Sequence, residues 1–188
     1  MTNSNLKGML SPILEGNGVC LRAIEEQDLE MVRQWRNDPK ISQFMLTQHT
    51  ISIEQQKQWY EHIRDIETQQ HFVIEYKQQP IGIANIRTLS GDQLLGAETI
   101  EPGLYIYDDR YRGSFLAFCP ALTLNDYCFD TLRCNKIIAR VLPNNDAAFR
   151  FNAMLGYAEV SREELITMEL LKAQYQLSSE KIRKFIRY

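Results

Sequence analysis

Three histidines (His49, His62 and His71) and four cysteines (Cys20, Cys119, Cys128 and Cys134) are the only soft metal ligands in the chain, and no two cysteines form a CxxC pair. Such spacing suits neither a zinc centre nor a disulfide framework, so no metal is expected and the thiols read as reduced and mostly buried. Long apolar runs are missing too: no stretch approaches the roughly 20 residues that a membrane-crossing helix needs. The opening residues, MTNSNLKGMLSPILEGNG, lack the basic and apolar blocks of a secretory signal, so a cytoplasmic chain with no membrane partner is expected. A basic surplus is also absent. The formal net charge of −3 argues against a nucleic-acid partner. No internal repeat, linker or low-complexity tract interrupts the sequence.

What is there is an ordinary globular composition, 44% hydrophobic and 24% charged over 188 residues, enough for one domain with a sizeable core. The expected organisation is an N-terminal extension over 1–17, carrying a short strand at 10–14, and a single domain over 18–188. Asn17-Gly18 reads as a hairpin turn into a strand in which Val19, Leu21 and Ala23 alternate. Glu25, Glu26 and Asp28 favour a helix start, Leu29, Val32 and Trp35 form its apolar stripe, and Asn37-Asp38-Pro39 ends it. A short helix over 41–46 follows. Ser52 with Gln55 three residues on forms a capping box ahead of the helix bearing Trp59, Ile63 and Ile66. At His71 the period switches to two, and a hairpin runs to Arg87 around a turn at 77–80.

A strand over 98–107 comes next, with Pro102-Gly103 expected to bulge or kink it. It enters a basic loop around Gly113, then a long apolar-periodic helix, a strand over 136–142, a helix over 145–155 and two further strands over 157–162 and 165–170. A helical tail from Lys172 ends in the basic run KIRKFIRY. The fold class is therefore α/β, a mixed sheet of six to seven strands flanked by about four helices. A loop of backbone donors placed at a helix N-terminus is a device for holding phosphate, so the stretch after Tyr107 is expected to grip a phosphate-bearing cofactor.

The motifs of this central stretch carry a resemblance. The loop Arg110-Tyr111-Arg112-Gly113-Ser114-Phe115 resembles the Arg/Gln-x-x-Gly-x-Gly/Ala loop of the GNAT superfamily of acetyl-CoA-dependent N-acetyltransferases. In register with it, Asp126-Tyr127-Cys128-Phe129-Asp130-x-Leu132 resembles the family's DYAFExL. Asn145-x-x-Ala148 through Leu155-Gly156-Tyr157 resembles its NxxA…LGF. The likeness covers about residues 19–170. Near the N-terminus, Trp35-Arg36-Asn37-x-Pro39-x-Ile41 with Met45 and Ile51-Ser52-x-Glu54 is similar to the branch that acetylates amino groups of nucleotide-linked deoxy sugars. The same layout occurs in the ribosomal-protein N-terminal acetyltransferases.

The resemblance implies splayed central strands and acetyl-CoA as cosubstrate, with a small-molecule amine as acceptor, in a monomer or homodimer. It places Ile106 and Tyr107 against the pantetheine and thioester. Arg110, Tyr111, Arg112, Gly113, Ser114, Phe115, Leu116 and Ala117 fall around the pyrophosphate, and Asn145 joins the cofactor set. Trp35, Arg36, Met45 and Leu46 are the expected acceptor-side residues. Acetyl transfer needs a neutral amine, a donor for the oxyanion and a proton for the departing thiolate. Glu101 or His49 could serve as base. For the acid, many relatives carry a tyrosine where this chain has Asn152, an amide without useful acidity, so Tyr105, Tyr107, Tyr111 or water would substitute. Phe115 must aim its ring away from the pyrophosphate, and Pro120 should kink the helix. Read together, these three departures give the alternative of a degenerate, non-catalytic binding module.

Overall fold

The computed structural model describes residues 12–186. The expectations for the first residues, including the part of the short strand before Pro12, and for the last two residues of the basic tail lie outside them. Two short hairpins open the sheet. β1 (Leu14–Gly16) and β2 (Val19–Ala23) are joined by Asn17 and Gly18, with φ of 50° and 78°. Left-handed dihedrals at both central residues match the twist of a two-residue hairpin. β3 (Gln69–Tyr76) and β4 (Gln79–Arg87) use the same turn at Lys77 and Gln78, with φ of 50° and 62° and no glycine to relieve it.

Between β2 and β3 lie α1 (Leu29–Asn37), α2 (Pro39–Ser42) and α3 (Ile53–Ile63). Asp38 ends α1 and caps α2, its carboxylate accepting from the Lys40 amide, with Pro39 at the first helical position, where a missing N–H costs nothing. The short helix thus ends at Ser42 instead of running to Leu46. The Ser52–Gln55 capping box forms as expected.

β5 (Thr99–Ile106) pairs with β4 in unbroken register from Gly82↔Ile106 to Arg87↔Glu101. The bulge expected at Pro102-Gly103 is absent. α4 (Phe118–Asp126) is entered through a 3-10 turn at Phe115–Ala117 and left through a π turn at Tyr127–Thr131, closed by the Leu132 amide on the Tyr127 carbonyl. The 3-10 entry places Pro120 in the first α turn, where N–H groups have no intrahelical acceptor, so the proline is accommodated. β6 (Lys136–Val141), α5 (Asp146–Met154), β7 (Ala158–Arg162), β8 (Ile166–Leu171) and α6 (Lys172–Phe185) complete the order.

Among the described residues the sheet has eight strands, one or two more than expected, in the order β1-β2-β3-β4-β5-β6-β8-β7, with six α-helices rather than four. Only β5 and β6 run parallel. The main core, with Leu21, Phe72, Ile74, Ile86, Ile100, Ile137 and Met168, lies under α4 and α6. A smaller core of Ile24, Leu29, Val32, Val73 and Ile83 lies on the opposite face beneath α1 and α3. Arg183, in the basic tail, donates to both oxygens of Asp126, and Tyr175 donates to the same carboxylate, so α6 is clamped along α4. Three of the four cysteines, at 119, 128 and 134, are buried free thiols.

Candidate active site where two strands part

β5 and β6 pair at only two positions, Thr99↔Lys136 and Ile100↔Ile137, and then diverge. Pro102 is the next β5 residue but one. It has no N–H, so it can sit only where that group would face away from β4, into the gap. Along an antiparallel strand the facing alternates. Leu104 and Ile106 therefore also turn their backbone groups into the gap, while Glu101, Gly103 and Tyr105 bond β4. Tyr107 does not share this role. Its amide donates to the Ile81 carbonyl at 2.8 Å, so of the two expected backbone contacts Ile106 has free groups and Tyr107 does not. Leu104, two residues back on the same side, has the second set of gap-facing groups. Gly82 lets β4 close up here, since a Cβ on it would stand 2.2 Å from the Tyr105 carbonyl oxygen.

Beyond Tyr107 the loop folds on itself. The Asp108 carbonyl accepts from the Tyr111 and Arg112 amides, and Ser114 caps the helix through its hydroxyl. Among the described residues, Gly113, at φ 74°, and Phe115 give their amides to no acceptor, and both stand at the start of the 115–131 helical run. That is the donor set an anion wants. The arginines are already engaged: Arg110 pairs with Asp108 at 2.6 Å and Arg112 with Asp109 at 2.7 Å, while Lys40 reaches Asp109 from α2. Phe115 does turn its ring outward, 56% exposed, toward Phe118 and Phe185. Leu116 and Ala117 form the helix entry, and Tyr111 packs edge-on against Tyr76.

The odd-numbered residues of β5 look toward α1. Glu101 is 7% exposed and tied on both sides: Arg87 of β4 donates at 2.7 Å, Arg140 of β6 at 2.8 Å. Burial works against its charge, but the hydrogen bonds from Arg140 and Arg87 outweigh it and hold its carboxyl below the usual range. A carboxylate so held is a clasp across the parting strands, not a base at neutral pH. Tyr107 stacks on Trp35 with centroids 4.7 Å apart and donates its hydroxyl to Asp38, with the Lys40 ammonium 3.7 Å from the ring centroid. Its proton is therefore committed as well. Trp35, Lys40, Tyr107 and Arg110 line an open cavity of about 400 Å³ beside the loop.

Arg36 and Tyr105 differ. Arg36 gives Nη2 to the Thr47 carbonyl, while its Nη1 and the Tyr105 hydroxyl are buried without partners. Burial raises the Tyr105 pKa well above that of a free phenol, so it stays protonated. Met45 is half-buried and Leu46 and His49 are exposed on the loop after α2. On α5, Asn145 spends its Oδ1 capping the Ala148 amide instead of facing the gap, and Asn152 is half-buried beside Phe151, which stacks on Phe118. Sequence reasoning missed Asp38, Leu104, Arg87 and Arg140. The proline at 102 was the available signal for Leu104, and alternation from Glu101 back along the hairpin could have found Arg87.

Residues 19–158 match the family model described as an acetyltransferase (GNAT) domain. The acetyltransferase PseH of Campylobacter jejuni is 25% identical over 128 residues, 68% of this chain and 74% of that protein. Among solved structures, apo FdhC, described as a nucleotide-linked sugar GNAT, superposes with a TM-score of 0.75 at 22% identity, covering 94% of this chain and 99% of that one. The spermidine N-acetyltransferase of Vibrio cholerae, in complex with CoA and spermine, gives 0.75 at 20% identity, covering 85% and 98%.

Proposed function

The chain belongs to the GNAT acetyltransferase family, and from that premise we propose that it moves an acetyl group from acetyl-CoA to the amino group of a nucleotide-linked amino-deoxy sugar. The observation that carries the cofactor half is the gap itself. Leu104 and Ile106 offer free backbone groups along one wall, leading to the unshared amides of Gly113 and Phe115 at a helix start. These residues fit a chain of amides ending in a diphosphate. Bound there, acetyl-CoA supplies an activated acyl group. Arg110 and Arg112 would exchange Asp108 and Asp109 for the pyrophosphate.

The protein's own contribution is orientation and placed hydrogen-bond donors, worth several kcal/mol of barrier. The acceptor amine must lose its proton before attack, and with Glu101 clamped the carrier is water or His49. Of the three tyrosines, Tyr107 has given its hydroxyl to Asp38, and Tyr105 has a buried hydroxyl without a partner among the described residues. It is the donor we assign to the reacting centre.

The acceptor half leans on the N-terminal likeness at Trp35–Ile41 and on FdhC, described as a nucleotide-linked sugar GNAT. The test is direct. Incubation with acetyl-CoA and a nucleoside-diphosphate 4-amino sugar, read by mass spectrometry, should add one acetyl group. Acetylation of an N-terminal peptide or of spermidine in preference to the sugar would overturn the acceptor. Failure of acetyl-CoA to raise the melting temperature at millimolar concentration would overturn the enzyme reading altogether.

A further inference from the structure

The last turn of α6 carries an apolar side chain that the core does not use. Phe185 is 73% exposed, and the exposed Phe115 ring lies beside it with centroids 6.3 Å apart and planes 28° from parallel. Fraying of the helix does not account for this. Ile182 on the same turn is buried, Ile186 packs on the main core, and Arg183 holds both carboxylate oxygens of Asp126. The turn is fixed, and it is fixed with Phe185 facing water. From Phe115 the rings continue inward through Phe118 to Phe151, the last two stacked with centroids 4.6 Å apart. The row thus runs from α6 across α4 to α5, and its outer half is bare.

Phe115 is also a residue whose amide is unshared at the pyrophosphate cradle. Whatever the diphosphate carries on its far side must pass the side chain at this position. The gap at Leu104 and Ile106 takes the thioester end of acetyl-CoA, so the far side is the nucleotide end, an adenine on a phosphorylated ribose. A purine is flat and stacks on aromatic rings through its face, whatever its hydrogen-bonding edge meets. Charge agrees with this occupant. Lys181 lies one turn before Phe185 on the same face of α6, and Lys184 directly precedes it. Neither makes an ion pair among the described residues, so two ammonium groups flank the rings, suited to the ribose phosphate and not to an apolar partner surface.

We infer that Phe115 and Phe185 form the adenine shelf of the acetyl-CoA site, which makes α6, outside the 19–158 stretch shared with the family, part of that site. The inference rests on the cofactor half of the reading above and deepens it. It also gives a task to the phenylalanine that stands where the family's loop has glycine or alanine.

The test is calorimetric titration of the whole chain with CoA, with 3′,5′-ADP as the nucleotide end alone, and with 4′-phosphopantetheine, which has no base. Phe185→Ala should weaken CoA and 3′,5′-ADP by about 5- to 30-fold, the range of one lost base–aromatic stack, and leave 4′-phosphopantetheine unchanged. Because the ring is so exposed, the melting temperature of the empty chain should move by no more than about 2 °C. Phe115→Ala restores the small residue of the family's loop and should nonetheless weaken CoA to a similar extent. Phe185→Trp should bind CoA at least as tightly as the native chain. CoA affinity indifferent to both alanines would overturn the shelf. So would an equal loss for 4′-phosphopantetheine, which would place the damage in the phosphate loop. Self-association that vanishes in Phe185→Ala while CoA affinity stands would overturn it too, making the rings a contact between copies. A chain that binds none of the three probes overturns the shelf and the acetyl-CoA reading together. Ring-dependent CoA binding with no acetylated sugar keeps the shelf and overturns the acceptor.

Discussion

Two arginine sites share one face of the sheet and are built on opposite terms. At the mouth of the gap, Arg87 and Arg140 converge on Glu101, and every charge has a partner. Farther along β5, beside Tyr105, Arg36 has no carboxylate: Nη2 bonds the Thr47 carbonyl and Nη1 has no partner among the described residues. The first arrangement ties strands together, and the second leaves a buried donor unmatched.

The contrast can be broken most forcefully at Glu101. Glu101→Gln leaves two guanidiniums facing each other and should cost about 3–4 kcal/mol, a value reduced slightly because both arginines keep some water. Urea unfolding measures it, and a loss below about 1 kcal/mol would make the clasp an ornament.

Acid should weaken the same corner. Burial first, then the charge of Arg87, push the His71 pKa down from 6.5 to about 4. The unfolded chain therefore takes up this proton first, so stability is full above pH 6.5 and falls as pH drops toward 4, by about 3 kcal/mol. Glu101 follows lower down, its contribution present above its ordinary value and lost as pH falls through its depressed folded one. Unfolding midpoints across this range should show the first loss disappear in His71→Gln.

Arg36→Gln should do the reverse of Glu101→Gln. Removing a charge that has no carboxylate partner should leave stability unchanged or raise it by up to about 1 kcal/mol. The smallest test compares two hydroxyls on one strand end. Tyr107→Phe loses a bond to Asp38 and should cost about 0.5–1 kcal/mol, whereas Tyr105→Phe should cost nothing. Equal losses from the two would erase the distinction.

Much of the fold was legible because its signals are local. Asn17-Gly18 sets a turn, Ser52 with Gln55 a cap, and the alternation after His71 a hairpin. The loop at 110–115 and the parting of β5 from β6 followed from a family resemblance. What escaped were partners brought together from distant strands. Glu101 looked like a base because Arg140 lies 39 residues away in sequence. Pro102-Gly103 looked like a bulge because a proline's missing amide says that a bond is absent without saying on which side. Asp38 looked like a helix terminator, and its second task, accepting from Tyr107, depends on a residue 69 positions on.

That same proline has a wider meaning. Two adjacent strands with compatible backbones tend to zip together along their whole length, and an enzyme that needs a slot between them must prevent it even when no substrate is present. Here the ladder is short of a rung immediately past its last joined pair, so closure cannot propagate from Ile100 into the site. The doorway stays open because one atom, a hydrogen, was never put in the frame.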